Sequence, residues 1–228
     1  MGKFIKYFTK GELILWCSSL VIITVFFCIF DRANYLTLVA SLIGATSLIF
    51  NAKGNPLGQV FIIIFAILYG IISWSFAYYG EMITYLGMSL PMAVIALISW
   101  LRNPHNGNKA EVKVNHIRLK EVIFMLGLSI VVTVVFYFIL KHFNTSNLIP
   151  STLSITTSFL AAYLTFRRSP FFALAYAIND LVLIVLWVMA TITDISYISV
   201  IMCFIVFLVN DLYSFFNWLK MEKRQKLS

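Results

Sequence analysis

Two Asn-Asp pairs stand deep inside apolar stretches, Asn179-Asp180 and Asn210-Asp211. A carboxyl group at the centre of a lipid-spanning helix costs about 2.5–3.5 kcal/mol on insertion scales, so such residues point first to function. Around them, residue types recur with helical spacing. Tyr176, Asn179, Asp180, Leu183 and Trp187 fall at i, i+3, i+4, i+7 and i+11, one face of a helix. Asn210, Tyr213 and Asn217 share a face of a second helix, and Asp211, Ser214 and Trp218 share the adjacent one. Gln59, Ala66, Gly70 and Ser73 form a small and polar stripe on a third, which ends near Trp74. The run Ser151 to Ser158, with Thr156 inside it, is polar enough to line a cavity or to tie helices together. Amides, hydroxyls and aromatic faces suit a small polar molecule with a ring. The ring stacks on Trp or Tyr, and the amides take its hydroxyl and carboxamide groups. Asn179, Tyr176, Trp187, Gln59, Trp74, Asn210, Tyr213 and Thr156 are therefore candidate binding residues. The plainer role for any one of them is hydrogen bonding between helices. Asp180 is expected to be structural, accepting hydrogen bonds from a neighbouring helix.

Catalytic readings are weaker. Asp180 and Asp211 on neighbouring helices could form an intramembrane aspartyl dyad sharing one proton, but Asp211 lacks a Gly-x-Gly-Asp context. No other nucleophile and base occur together, so no catalytic residue is assigned and an enzyme is not expected. Cys17, Cys28 and Cys203 all lie in apolar runs, an odd set that fits neither a disulfide framework nor a metal site. His105, His116 and His142 fall in polar connections with no carboxylate or second His at ligand spacing. They are expected to be solvated, and neither metal nor cofactor is expected.

The elements that position these residues are membrane helices. Of 228 residues 61% are hydrophobic and 11% charged, with a mean hydropathy of +0.92. A soluble domain averages roughly 45–50% apolar and about 25% charged, so lipid is the solvent for most of this chain. Eight apolar segments, near 12–30, 35–50, 58–79, 82–101, 121–141, 148–166, 170–190 and 195–218, each approach the ~20 residues needed to cross the hydrocarbon. They are continuous rather than alternating, so strands are not expected. The first is too long, and lacks the cleavage site, for a removable signal. Pro56 and Pro170 suit a first helical turn, and Pro91 should kink the fourth segment.

With the N-terminus on one side, that side carries fifteen of the seventeen basic residues, and only Arg32 and Lys141 lie opposite. The bias places both ends in the cytoplasm at the plasma membrane. It accounts for the net charge of +8 through the anionic inner leaflet, with no nucleic-acid partner. The longest polar stretch, 102–120, divides the chain. Lys53-Gly54-Asn55-Pro56 opens segment three and Arg167-Arg168-Ser169-Pro170 opens segment seven. Ser99-Trp100-Leu101-Arg102 ends segment four and Asn217-Trp218-Leu219-Lys220 ends segment eight. The expected fold is all-α: one integral membrane domain, 1–228, with two parallel three-helix repeats (35–101 and 148–218), an inverting linker helix (121–141) and an extra N-terminal helix (12–30). Such repeats are a transporter architecture, with the substrate site at their interface.

The stretch Arg167-Arg168-Ser169-Pro170-Phe171-Phe172 through Tyr176, Asn179-Asp180 and Trp187 resembles the PnuC-type nicotinamide riboside transporters, as does Asn210-Asp211-Leu212-Tyr213 through Trp218 with its basic tail. Gln59 and Tyr69 sit where that family's first half has polar and aromatic positions, which adds Tyr69 to the candidates. The resemblance covers roughly 35–224. It implies uptake of nicotinamide riboside down its gradient by rocking of the two bundles, a cytoplasmic kinase that traps the product by phosphorylation, and a homotrimer. Phe172 and Tyr176 replace the Trp-rich pattern before the segment-seven Asn. Thiamine, riboflavin and deoxynucleosides, carried by sister subfamilies on the same scaffold, therefore stay open as substrates.

Overall fold

The computed structural model describes residues 7–75 and 78–227; Lys3 and Lys6, counted above among the basic residues, lie outside them. Eight helices are long and apolar enough to span a membrane: α1 Lys10–Phe30, α2 Tyr35–Ala52, α3 Leu57–Ser75, α4 Tyr79–Arg102, α5 Leu119–His142, α6 Leu148–Phe166, α7 Phe171–Ala190 and α8 Ile195–Leu227. Their outer faces are apolar. On α5, Ile123, Phe124, Ile130, Val131 and Phe138 are each more than half exposed, a surface suited to lipid. Cys17 and Cys28 lie on exposed surface and Cys203 is buried, all three free.

Local sequence sets the ends. Thr9 and Glu12 form a capping box at the start of α1. Glu12 is buried, paired with Lys53 at 3.0 Å and accepting from the Tyr213 hydroxyl at 3.1 Å. Helix α8 runs to Leu227, past the expected end at 218, because a Glu222–Lys226 pair and basic residues in the last turn sustain it outside the apolar zone. In α4, the expected kink at Pro91 takes the form of a widened π turn just before it, Thr84–Ser89.

Two expectations for the polar stretch are corrected. It holds a short antiparallel hairpin, β1 Pro104–His105 and β2 Asn108–Val112. Asn106 and Gly107 turn it with positive φ of 46° and 77°, the backbone that a two-residue hairpin turn requires. Outside lipid, the rule against open strands does not apply. His116 is exposed as expected, but it meets a carboxylate, Glu222, at 2.8 Å, because α8 extends far enough to reach it.

Helices α2, α3, α4, α6, α7 and α8 pack in a closed cycle, each against the next and α8 back against α2. Helix α1 packs outside on α2 and α8, and α5 outside on α6 and the first turn of α4. One set of bonds occurs twice around the cycle. Trp218 Nε1 donates to the Asn51 carbonyl at 2.8 Å and Asn217 Nδ2 to the Ala52 carbonyl at 2.8 Å. Trp100 Nε1 donates to the Thr165 carbonyl at 2.8 Å and Ser99 Oγ to the Phe166 carbonyl at 2.8 Å. Gly54 and Arg168, which follow the receiving helix ends, both adopt positive φ, 64° and 58°. In both turns the backbone closes alike: Gly54 donates to the Asn51 carbonyl and Arg168 to the Thr165 carbonyl, each at 2.9 Å.

Candidate functional site

A cavity of about 50 Å³ lies inside the cycle, between α3, α4, α6 and α7. Its polar lining is Gln59 from α3, Ser89 from α4, Ser158 and Thr165 from α6, and Tyr176 from α7. Met88, Met92 and small alanines complete it, a soft apolar wall. The π turn ends at Ser89 and so helps set that hydroxyl in the lining. Gln59 is almost fully buried, and its Nε2 donates to the Asn51 Oδ1 at 2.9 Å. That bond fixes the amide, because the nitrogen is committed to Asn51 and the carbonyl oxygen stays available to accept. Gly58 allows it, since a Cβ there would overlap the Asn51 side chain.

Toward the basic end, where both termini lie, the cavity is sealed by rings. Trp100 and Trp218 have no exposed surface and their rings are 5.5 Å apart. Phe172 lies 4.9 Å from Trp218 and 6.4 Å from Trp100. A second aromatic group joins α3, α4 and α8. Tyr69 lies 4.6 Å from Phe65 and 5.1 Å from Tyr85, and Phe65 reaches Phe207 at 6.3 Å. The Tyr69 hydroxyl is 3.4 Å from Ser41 Oγ on α2. Gly44 on α2 makes room for this group, because a Cβ there would come within 2.7 Å of Phe207 and 2.9 Å of Phe65.

The remaining candidates spread across the molecule. Asn179 sits one turn from Tyr176 and is buried; its Oδ1 accepts from Thr157 Oγ1 at 2.7 Å and from Ser154 Oγ at 3.5 Å. Asp180 is buried, but its Oδ2 accepts no hydrogen bond among the described residues. Beside it α8 presents a second buried carboxyl, Asp211. Trp187 stacks obliquely on Tyr197 at 5.0 Å, and Trp74, largely exposed, meets Tyr79 edge-on at 5.7 Å. Three others face neighbouring helices. Asn210 Nδ2 donates to Ser19 Oγ on α1 at 2.9 Å, Tyr213 donates to Glu12 on α1, and Thr156 Oγ1 meets Thr133 Oγ1 on α5 at 2.7 Å. So Gln59 and Tyr176 share the cavity, with Asn179 beside it. Ser158 comes from the polar run noted in the sequence, whereas Ser89, Thr165, Asn51 and Tyr85 belong to this region without having been singled out there. Ser158 and Thr165 share one face of α6 at i and i+7, the available signal.

A closed cycle of spanning helices around a polar pocket, with rings stacked across its basic end, is the build of a membrane transporter for small molecules. The comparisons agree. A family model for nicotinamide mononucleotide transporters matches residues 34–220. The chain is 24% identical over 200 residues to the nicotinamide riboside transporter PnuC of Neisseria mucosa, covering 86% of this chain and 76% of that protein. It is 23% identical over 212 residues to the PnuC of Haemophilus influenzae, covering 92% and 91%. The crystal structure of the vitamin B3 transporter PnuC superposes with a TM-score of 0.78 at 23% identity, over 96% of this chain and 94% of that one, so the fold is shared. The chain belongs to the nicotinamide mononucleotide transporter family, the PnuC family, whose named members are transporters and not enzymes.

Proposed function

We propose that this chain carries nicotinamide riboside across the plasma membrane by alternating access, with both termini in the cytoplasm and a cytoplasmic kinase trapping the product by phosphorylation. The observation that carries the reading is the central pocket, where Gln59 offers a fixed carbonyl oxygen and Tyr176 a ring among hydroxyls. A carboxamide N–H can donate to that oxygen, ribose hydroxyls can pair with Ser89, Ser158 and Thr165, and the pyridinium ring can stack on Tyr176. Asn179 stands a turn further along the same path, followed by Tyr69 with Tyr85, and Trp187 and Trp74 flank the opposite end. Asn210, Tyr213 and Thr156 already spend their polar groups between helices, and they support the site indirectly.

Ligand pockets typically measure about 300–1,000 Å³. At about 50 Å³ the cavity is closed down, which supports a cycle in which helices part to admit substrate. The two bundles, 35–101 and 148–218, are the moving bodies in this reading, and the doubled Trp bonds support it. The linker helix 121–141, the helix 12–30 and a homotrimer complete the assembly. Phe172 and Tyr176, in place of a Trp-rich pattern, favour as second reading a related ring compound: thiamine, riboflavin or a deoxynucleoside. Thermal shift of the purified protein separates the readings. A ligand at 100 times its dissociation constant adds about 2.7 kcal/mol of stability. Nicotinamide riboside should raise the melting point. A shift with thiamine, riboflavin or a deoxynucleoside alone would overturn the substrate assignment.

A further inference from the structure

The stretch 110–115, leading from β2 toward α5, lies across the basic end and is bonded to both halves of the helix cycle, but unequally. To the side formed by α6, α7 and α8 it is tied many times. Asn115 donates its backbone N–H to the Arg168 carbonyl at 3.0 Å and its Nδ2 to the Arg167 carbonyl at 3.0 Å. Gln225 accepts from the Val114 N–H at 2.8 Å and donates to the Val112 carbonyl at 3.0 Å and to Glu111 at 2.8 Å. Arg224 pairs with Glu111 at 2.6 Å, and Arg168 Nε donates to the Lys113 carbonyl at 3.2 Å. To the α2–α4 side it is held by less: Val112 N–H to the Gly54 carbonyl at 2.9 Å and, at its root, Lys113 N–H to the Asn103 carbonyl at the end of α4 at 2.8 Å. Ahead of α1, the Tyr7 hydroxyl donates to the Ala110 carbonyl at 3.3 Å. Yet Val112 is fully buried in the cluster that contains Trp100, Trp218 and Met221, the seal of the cavity.

We propose that residues 110–115 are the inner gate of the transporter, carried by the α6–α8 bundle and released from the α2–α4 bundle at the Val112–Gly54 contact whenever the inner end opens. The proposal rests on the two-bundle reading above. Two bundles that part at this end cannot both keep the strap, and the side with fewer bonds lets go. Arg168 is the catch. From its turn between α6 and α7 its Nη1 donates to Ser99 Oγ of α4 at 2.7 Å, so it bridges the bundles while holding the strap. It does so at a φ of 58°, a left-handed conformation costly for a residue with a Cβ. The equivalent turn has Gly54, so the arginine is kept for its bonds rather than for its backbone. Burial, with Arg167 alongside, lowers the affinity of its guanidinium for its proton, though Arg stays charged at any physiological pH.

A disulfide tests the gate. A Cβ placed on Gly54 would lie 3.2 Å from Val112 Cγ1, close to where the sulfur would stand after Val112→Cys. Arg168 shows that such a turn accepts a side chain. The variant is Gly54→Cys with Val112→Cys in a chain carrying Cys17→Ala and Cys28→Ala, reconstituted in liposomes with labelled nicotinamide riboside. The reduced protein should take up substrate; oxidation should cut the rate about tenfold or more, and reductant should restore it. A bis-maleimide link between Glu111→Cys and Arg224→Cys, within the moving bundle, should leave uptake unchanged. Equal uptake in oxidised and reduced disulfide protein overturns the gate, as does a block by the second link. Absence of uptake in unaltered protein would instead overturn the transport reading. If the double-cysteine protein does not fold, Ser158→Cys in the cavity decides. In inverted vesicles Arg168→Gly should speed its thiol labelling about fivefold or more, the loss of two hydrogen bonds. An unchanged labelling rate overturns the proposal.

Discussion

Gln59 and Asn210 are both buried amides on helices, and the structure gives them different work. Gln59 faces the cavity with one end fixed by Asn51, whereas Asn210 spends its nitrogen on Ser19 and on the Val206 carbonyl. Gln59→Leu should therefore weaken binding of nicotinamide riboside by about 5–150-fold, or roughly 1–3 kcal/mol, as measured by titration of purified protein. Asn210→Leu should leave affinity unchanged and lower the melting temperature, because it loosens α8 from α1. Equal losses of affinity in both would put the site elsewhere. The helical faces were legible in the sequence: Asn210, Tyr213 and Asn217 do share one face. Its direction was not legible, since an amide that binds a ligand and one that binds a neighbouring hydroxyl obey the same spacing. Asn210, Tyr213 and Asn217 meet Ser19, Glu12 and the Ala52 carbonyl. Asn179 belongs to both kinds, with its oxygen committed to α6 and its place one turn from Tyr176.

Among the elements, the two tryptophan-ended helices α4 and α8 make the clearest pair. Each sends an indole N–H into a carbonyl in the last turn of the next helix in the cycle. Trp100→Phe and Trp218→Phe should each remove one of the two hydrogen bonds that a buried carbonyl accepts and cost about 0.5–1.5 kcal/mol, read by thermal unfolding. Near-equal losses are expected, because the environments repeat; a loss in only one would argue that the likeness is superficial. Segment ends with Trp followed by a basic residue were legible as punctuation, but nothing in the sequence told that Trp100 and Trp218 meet ring to ring. The contacts also place α1. It packs on α2 and α8, and α5 packs on α6 and α4, so both helices lie outside the cycle.

At the scale of the whole molecule, the eight spans were legible because each is a long unbroken apolar run, and their order fixes that both ends lie on one side. The hairpin and the strap were not, because their bonds run to residues far away in sequence, such as Gly54, Arg168 and Gln225. Orientation is open to direct measurement. A cysteine at Asn108 should be shielded from an impermeant thiol reagent in intact cells and one at Asn144 labelled, as the basic asymmetry requires. Labelling at Asn108 alone would invert the molecule.

The central claim is transport of nicotinamide riboside, and uptake into liposomes tests it most directly. Labelled nicotinamide riboside should enter protein-containing liposomes, equilibrate without a proton or sodium gradient, and be recovered chemically unchanged. Accumulation only under an imposed ion gradient would point to a coupled symporter, and no uptake above protein-free liposomes would contradict the claim.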